Sequence, residues 1–300
     1  MKKMYGNWKA AFLFMLPAII LFTCVVFVPI CYCGYLSLCK IKFAQDPEFV
    51  QFDNYIKIFT AGTSYNELFM VALKNTIFFM IFSVVTQLIV GMLYAVLLTN
   101  IRRGRNLFKN VIYLPCVLSS SALGLLFCFL LKPNMGINQL LALVGIQGPA
   151  WLSEYTGFIP LPMWVIGFVA LWQYVGQNMM LYMAQIMGIG RDLYEASYVD
   201  GATKPQAFLH ITLPLVKPMI VTAMSLNCIG SLKFFDLVYN MTQGGPTHVT
   251  ENVATLIYYY GIQVDGKSGI ASAMSIVLLV ICLLTTFIVN KVIKVENYEM

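Results

Sequence analysis

Long apolar runs are the feature that most constrains what this chain can fold into. A helix needs about 20 predominantly apolar residues to cross the hydrocarbon core of a bilayer. Hydrophobic residues make up 59% of the 300 residues and charged residues only 11%, whereas a soluble domain carries about a quarter charged residues. The sequence therefore predicts an all-α integral membrane protein, one transmembrane domain over residues 1–300, with six spans at about 10–38, 74–99, 110–131, 163–187, 215–239 and 269–293.

The first apolar run follows Lys2, Lys3 and Lys9 and so imitates a secretory signal peptide. A cleavable signal has an apolar core of about 7–15 residues followed by small residues at the cleavage site. Here the run continues to about Leu38 without a convincing site. We therefore expect the first run to be a spanning helix.

Basic residues predict the orientation, because cytoplasmic loops are enriched in Lys and Arg. With the N-terminus inside, 12 of the 19 Lys and Arg residues lie on the cytoplasmic side and 7 outside, and the loop RRGR at 102–105 contributes most. Six spans then place both termini in the cytoplasm. This topology accounts for the net charge of +6, which needs no nucleic-acid partner.

Several kinds of chemistry are missing from the sequence. It has no GxxxxGK[ST] loop to hold phosphates, and its two histidines, His210 and His248, fall in predicted loops. An intramembrane serine hydrolase would need a Ser–His pair within the spans. The eight cysteines show no metal-ligand spacing. We therefore expect no catalytic residues, no metal site and no cofactor held by this chain.

Ion-driven transport is disfavoured, because the spans carry almost no ionisable residues to bind protons or ions. Lys233 and Asp236 lie near the outer end of the fifth span, where their i,i+3 spacing favours mutual neutralisation. An ion-coupled transporter or a passive channel remains the alternative. An intramembrane enzyme is the weaker rival.

The segment 192–218 reads as two short helices around a break. Asp192 is suited to cap the first helix, which places Glu195 at its third position. Gly201 permits the turn, and Pro205 is tolerated in the first turn of the second helix. Taken alone, the segment predicts a helical hairpin on the membrane surface.

This segment resembles the EAA loop of binding-protein-dependent ABC importer permeases. Glu195, Ala196 and Ser197 fill the Glu-Ala-Ala element, and the match continues without a gap at Asp200, Gly201, Ile211, Leu213 and Pro214. Serine replaces the third alanine, and Ile189-Gly190 stands where the family usually has Ile-Pro. We expect the second departure to alter the entry turn and to leave the loop intact.

Similarity to the sugar permeases of this family extends over about residues 50–290. It includes GRNLFKNVIYLP at 104–115 and the Thr-x-Gly-Gly-Pro turn at 242–246, and it is greatest for the maltose/glycerol-phosphate/multiple-sugar type. The resemblance implies a type I importer permease fold in the cytoplasmic membrane of a prokaryote. It also implies a second homologous permease, two ATPase subunits that bind ATP and Mg²⁺, and an external solute-binding protein.

In such a permease, the resemblance implies that Glu195, Ala196, Ser197, Asp200 and Gly201 form a coupling helix and bend that dock on the ATPase. ATP-driven closure of the ATPase pair would then move the spans between outward-open and inward-open states.

A sugar site needs polar and aromatic side chains inside the apolar bundle. Three spans offer such groups on one helical face: Asn227, Ser231 and Phe234 in the fifth, Gln173, Tyr174 and Gln177 in the fourth, and Ser120 and Cys116 in the third. The resemblance implies that residues at these distances from the EAA loop and the Leu-Pro pair line the sugar site in the maltose-type relative. Alternatively, these groups only bond between helices. Because the amides are uncharged, we expect a neutral oligosaccharide as substrate.

Overall fold

The computed structural model describes residues 8–41, 46–101, 103–154 and 157–292. The predicted orientation depends partly on Lys2, Lys3 and Arg102 and on both chain ends, which lie outside the described residues. The helices are α1 (Trp8–Phe22), α2 (Val28–Ser37), α3 (Asp53–Phe59), α4 (Ser64–Asn100), α5 (Arg105–Val117), α6 (Ser120–Leu130), α7 (Gly136–Leu143), α8 (Leu161–Gly188), α9 (Arg191–Val199), α10 (Lys204–Ala207), α11 (Leu213–Leu232), α12 (Asp236–Thr242), α13 (Val253–Tyr258) and α14 (Ser268–Val292). Three π-helical segments continue helices at Thr23–Phe27, Phe208–Thr212 and Tyr259–Gln263.

Four helical stretches of the described chain are long and apolar enough to cross a membrane: Ala11–Ser37, Ser64–Asn100, Lys204–Thr242 and Ser268–Lys291. A bent pair, α5 and α6, brings the number to five if it forms one span. The mainly helical membrane architecture predicted from the sequence is therefore confirmed.

The predicted fourth span corresponds to α8, which is not among these apolar stretches. At 28 residues the helix is about 42 Å long, which is enough to cross the hydrocarbon core. Its amides lower its hydropathy, but Gln173 and Asn178 are buried against other helices. A helix enclosed by protein can carry such groups, because they need not face lipid.

The third predicted span is not one straight helix. α5 ends at Val117, Leu118 and Ser119 are extended, and α6 continues at an angle of 93°. Pro115 lies in the last turn of α5 and cannot donate a backbone hydrogen bond. This proline and the following serines are the local features that accompany the bend.

The fifth predicted span, 215–239, is also interrupted. α11 ends at Leu232, Lys233–Phe235 are not helical, and α12 begins at Asp236. The expected ion pair between Lys233 and Asp236 is absent from the described residues, and both side chains are exposed. Because the break separates them, their i,i+3 spacing no longer corresponds to one turn of helix.

The chain divides into two compact units, of which the first contains residues up to Asn66 and Ile257–Val277. It holds a short antiparallel hairpin, β1 (Cys39–Lys40) and β2 (Glu48–Phe49), in which Cys39 pairs with Phe49. Asn54 Nδ2 donates to the carbonyl oxygens of Ser37 and Cys39, each at 2.9 Å. A buried amide thus fastens α3 to the end of the first long helix.

The second unit contains Glu67–Leu256 and the chain from Leu278 onward. One buried apolar cluster lies around the first half of α8 and includes Phe79, Met163 and Leu237. Another lies around its second half and includes Met179 and Val216. α8 is therefore at the centre of this unit.

Glycines allow neighbouring helices to approach α8 closely. A Cβ at Gly176 would lie 2.7 Å from the carbonyl oxygen of Ile112 on α5. A Cβ at Gly91 on α4 would lie 2.8 Å from the Cβ of Asn178. Small residues at helix contacts are typical of membrane bundles, where close packing replaces the hydrophobic effect.

Gly176→Ala should destabilise the protein by about 1–3 kcal/mol, because the added methyl group collides with the backbone of α5. The matched control is Gly230→Ala, since a Cβ at this helical glycine meets nothing within 4 Å. The control should leave stability unchanged or raise it by up to about 1 kcal/mol. Thermal unfolding in detergent measures both, and equal midpoints would contradict the close contact.

Candidate functional site

Ser120 is the centre of a polar cluster where the bent pair α5–α6 meets α8. Its Oγ accepts a hydrogen bond from Gln173 Nε2 at 2.9 Å and lies 2.8 Å from Tyr174 OH. Gln173 Nε2 also donates to the carbonyl oxygen of Leu118, at 3.3 Å. The bend causes this arrangement, because it frees that carbonyl from helical bonding and starts α6 at Ser120. We call Ser120, Gln173 and Tyr174 the first cluster.

An aromatic wall adjoins the first cluster. Phe234 lies in the break after α11, where its ring stacks on Phe79 with centroids 4.5 Å apart. The ring of Tyr174 meets Phe234 edge-on at 6.3 Å. Stacked aromatic rings beside hydroxyl and amide groups suit a sugar ring, which has both apolar faces and polar edges.

A second cluster lies about 7.5 Å further along α8, five residues past Gln173. Asn178 Nδ2 donates to Gln87 Oε1 at 3.2 Å and to Asn227 Oδ1 at 3.4 Å. Gln87 Nε2 donates to Ser83 Oγ at 2.7 Å. We call Ser83, Gln87, Asn178 and Asn227 the second cluster, which joins α4, α8 and α11.

Each cluster ends in a polar atom that has no protein partner. In the described part of the chain, Gln173 Oε1 and Asn227 Nδ2 are both buried without a hydrogen bond. An unpaired buried polar group costs about 1–3 kcal/mol. The first cluster thus leaves one acceptor free, and the second leaves one donor free.

The predicted solute-site residues have different environments. Gln173, Tyr174 and Ser120 come together, Phe234 packs on Tyr174, and Asn227 belongs to the second cluster. Ser231 is buried, Cys116 is half-buried and Gln177 is exposed on the surface of the chain. Ser83 and Gln87 were not predicted as site residues, although polar side chains inside the apolar run 74–99 are a signal that points to them.

The clusters are electrically neutral. Among the described residues, the one buried charged side chain is Glu251, which lies in the segment between α12 and α13. The carboxylate of Glu251 is bonded by His248 and Thr255. The bundle around α8 therefore offers amide and hydroxyl groups, without a buried charge to attract an ion.

A network of buried polar groups fixes the segment that follows α12. Asn75 Nδ2 donates to the carbonyl oxygens of Val249 and Glu251, at 2.9 and 2.8 Å. Thr76 Oγ1 accepts from the backbone N–H of Val253 at 3.0 Å. A cavity of about 290 Å³ adjoins this segment, lined by Lys132, Thr242, Pro246 and eight further residues. None of its lining residues belongs to either cluster.

The predicted coupling loop forms a short helix and a turn. α9 exposes Glu195 and Ala196, while Ser197 is half-buried and donates to the carbonyl oxygen of Tyr194 at 2.8 Å. Asp200 and Gly201 form the turn, and Gly201 has a φ of +82°. α10 then begins after Thr203, with Pro205 in its first turn as expected.

One detail of this loop was predicted wrongly. α9 starts at Arg191 behind Gly190, so Asp192 lies within the first turn and does not precede the helix. α9 therefore begins two residues earlier than the capping argument gave, at Arg191 instead of Leu193. The acidic side chain of Asp192 still lies at the N-terminal end of α9, where it complements the helix dipole.

The exposed face of α9 also carries apolar side chains. Val199 is 88% exposed and Leu193 is 47% exposed. Tyr194 OH lies 2.8 Å from Thr212 Oγ1 and so ties the opposite face to the segment before α11. This arrangement leaves a small apolar and acidic surface free for contact with another protein.

A many-helix membrane bundle with neutral polar clusters and an exposed helix on a loop is the architecture expected of a membrane permease. The chain belongs to the family described as binding-protein-dependent transport system inner membrane component, which matches residues 87–294. This confirms the resemblance found in the sequence.

Named relatives cover nearly the whole chain. The chain is 33% identical to the probable ABC transporter permease protein YurN of Bacillus subtilis, over 96% of this chain and 97% of that protein. It is 28% identical to the trehalose/maltose transport system permease protein MalF of Thermococcus litoralis, with coverages of 97% and 96%.

A solved structure has the same fold. The chain is similar, with a TM-score of 0.79 and 26% identity over 98% of both chains, to a subunit of a bacterial alginate ABC transporter in complex with an alginate pentasaccharide-bound periplasmic protein. The chain therefore has an ABC importer permease fold.

Ser120→Ala should lower the free energy of unfolding by about 1–3 kcal/mol, because it leaves Tyr174 OH and part of the Gln173 amide without partners. Tyr174→Phe removes one bond and leaves Ser120 bonded to Gln173, so it should cost about 1 kcal/mol. The double variant should cost less than the sum, because both changes remove the same bond. Unfolding in detergent measures all three, and additive effects would contradict the shared bond.

Proposed function

We propose that the chain is one translocation subunit of an ATP-driven sugar importer. It pairs with a second homologous permease, two ATPase subunits and an external solute-binding protein. ATP and Mg²⁺ bind to the ATPase subunits, and this chain supplies the path through the membrane. The structure's resemblance to a permease crystallised with a periplasmic protein supports this composition.

The observation that carries the sugar assignment is the pair of neutral clusters with one unpaired acceptor and one unpaired donor. A sugar hydroxyl both donates and accepts hydrogen bonds. Gln173 Oε1 and Asn227 Nδ2 have the two complementary chemistries, and both atoms are enclosed by protein here, so a solute reaches them only after the helices move. We assign the solute site to the predicted residues Ser120, Cys116, Gln173, Tyr174, Gln177, Asn227, Ser231 and Phe234.

Among the described residues, the helices around α8 bury no charged side chain, which favours a neutral oligosaccharide. The relative from Thermococcus litoralis is named for trehalose and maltose, which are neutral. The similar solved structure comes from an importer of alginate, an acidic polysaccharide. An acidic solute would require a basic group to offset its desolvation, and the described bundle buries none.

Coupling is assigned to the loop at 192–214. The exposed Glu195 and Ala196, with Ser197, Asp200 and Gly201, form the surface that docks on the ATPase. α8 serves as the sixth span beside the four apolar stretches and the bent pair. Both termini then lie in the cytoplasm, and the protein resides in the cytoplasmic membrane of a prokaryote, as the charge distribution predicts.

The test is affinity purification of the tagged chain from its native membrane, with mass spectrometry and an ATPase assay. We expect a second permease and an ATPase to be recovered. The complex, in liposomes with its binding protein, is then offered maltose, trehalose, lactose, raffinose and alginate pentasaccharide. Uptake of a neutral sugar with ATP supports the proposal. A lone chain that works without ATP would instead identify an ion-coupled or passive transporter.

Gly201→Asp should abolish ATPase recovery and uptake while the chain still inserts in the membrane, because a bulky charged residue at this turn disturbs the docking surface. Gly62→Asp is the matched control, since Gly62 has a φ of +83° and, like Gly201, open space around it. It should retain both activities. Western blots of membrane fractions measure insertion, and loss of Gly201→Asp from the membrane would make the loop merely structural.

Asn227→Leu should raise the half-saturating sugar concentration about tenfold. The change removes the unpaired N–H donor of Asn227 and the oxygen that accepts the hydrogen bond from Asn178. Thr222→Val is the control on the same helix, since in the described part of the chain its hydroxyl bonds within α11, to the carbonyl oxygen of Pro218. Concentration-dependent uptake by the reconstituted complex gives both values. Unchanged uptake of every sugar would remove Asn227 from the site.

A further inference from the structure

The hydrogen bonds of the second cluster form a chain that begins on α4 at Ser83 and Gln87. Gln87 Nε2 donates to Ser83 Oγ at 2.7 Å, one turn earlier on α4. The amide oxygen Oε1 faces α8, where it accepts from Asn178 Nδ2 at 3.2 Å. Because a primary amide has an acceptor end and a donor end, fixing one end fixes the other.

The hydrogen-bond chain continues from Asn178 to Asn227. Asn178 presents Nδ2 to Gln87, and the same nitrogen donates to Asn227 Oδ1 at 3.4 Å. The oxygen of Asn227 is thereby occupied, and its nitrogen Nδ2 is the atom left buried without a partner. Asn227 can offer a donor to a solute only while this order is kept.

Close packing holds Gln87 in place. Its side chain is buried, as is that of Ser83. Gly91 lies one turn further along α4, and its lack of a side chain lets α4 approach Asn178 to within contact distance. A buried side chain between two tightly packed helices has little freedom to turn its amide over.

We propose that Gln87 is a positioning residue of the solute site, which orients Asn178 and Asn227 so that Asn227 donates a hydrogen bond to a hydroxyl oxygen of the sugar. The inference rests on the proposed function and deepens it, because it adds residues of α4 to the solute site. Gln87 acts through Asn178 and need not touch the solute.

The chemistry of the side chain allows a direct test of orientation. Glutamate at position 87 keeps an oxygen acceptor for Asn178, whereas methionine has a similar length and no such acceptor. Ser83→Ala leaves the contact between Gln87 and Asn178 intact but removes the bond that anchors the other end of the Gln87 amide. Thr86→Val is the control, since among the described residues the Thr86 hydroxyl bonds within α4, to the carbonyl oxygen of Phe82 at 2.6 Å.

The experiment measures uptake by the full reconstituted complex at a series of concentrations of maltose, trehalose, lactose and raffinose. Gln87→Met should raise the half-saturating concentration about fivefold, with a smaller change in the maximal rate. Gln87→Glu should stay within about twofold of wild type, Ser83→Ala should lie between these two, and Thr86→Val should equal wild type. Thermal unfolding of each complex is measured in parallel.

A half-saturating concentration for Gln87→Met equal to that of wild type would overturn the inference. So would a glutamate variant that assembles but loses affinity as far as methionine, since that pattern indicates a structural role. If the glutamate variant does not assemble, Ser83→Ala decides the outcome, and equality with Thr86→Val overturns the inference. Failure of the wild-type complex to take up any of the four sugars overturns the proposed function, and this inference with it.

Discussion

The packing of the second unit depends on the hydrogen bonds that the side-chain amides of α8 make in an interior with little water. Lipid offers a buried amide no hydrogen-bond partner, so the bonds that such an amide makes in a membrane bundle come from protein. Gln173 finds its partners at the bend between α5 and α6, and Asn178 finds them on α4 and α11. These bonds require the helices to lie close, and the glycines at 91 and 176 make that approach sterically possible. Packing and polar satisfaction therefore support each other around one helix.

Most of the architecture could be predicted from apolar length, because crossing a bilayer demands it. The breaks could not, since a hydropathy count does not report backbone angles. Pro115 was visible in the sequence, yet many membrane helices contain a proline without bending by 93°. For the end of α11 at Leu232, the sequence offered no proline, and the lysine and aspartate that flank the break suggested a pair on a continuous helix instead. The break places Phe234 against Phe79 and Tyr174.

The candidate site, too, could be predicted from the sequence only in part. Periodicity places Gln173 and Gln177 only about 40° apart on a helix, yet one is buried and the other exposed. A helical face is a property of one helix, whereas burial depends on its neighbours. Gln87 could not be predicted in this way, because its span carries none of the residues that resemble the maltose-type site. Its role becomes visible only through Asn178, 91 residues away in the sequence.

The second cluster is connected to the predicted coupling loop, residues 192–214, through the two helices that flank this loop. α8 carries Asn178 and ends at Gly188, and α9 begins three residues later. The other side of α9 is tied by Tyr194 to Thr212, directly before α11, which carries Asn227. A displacement of α9 by an ATPase would therefore act on both helices that hold the second cluster. Because the bond between Asn178 and Asn227 is long at 3.4 Å, a small relative movement of α8 and α11 is enough to break it. The free donor of Asn227 would then lose its fixed direction, which gives a physical means of releasing a bound hydroxyl when the ATPase moves the loop.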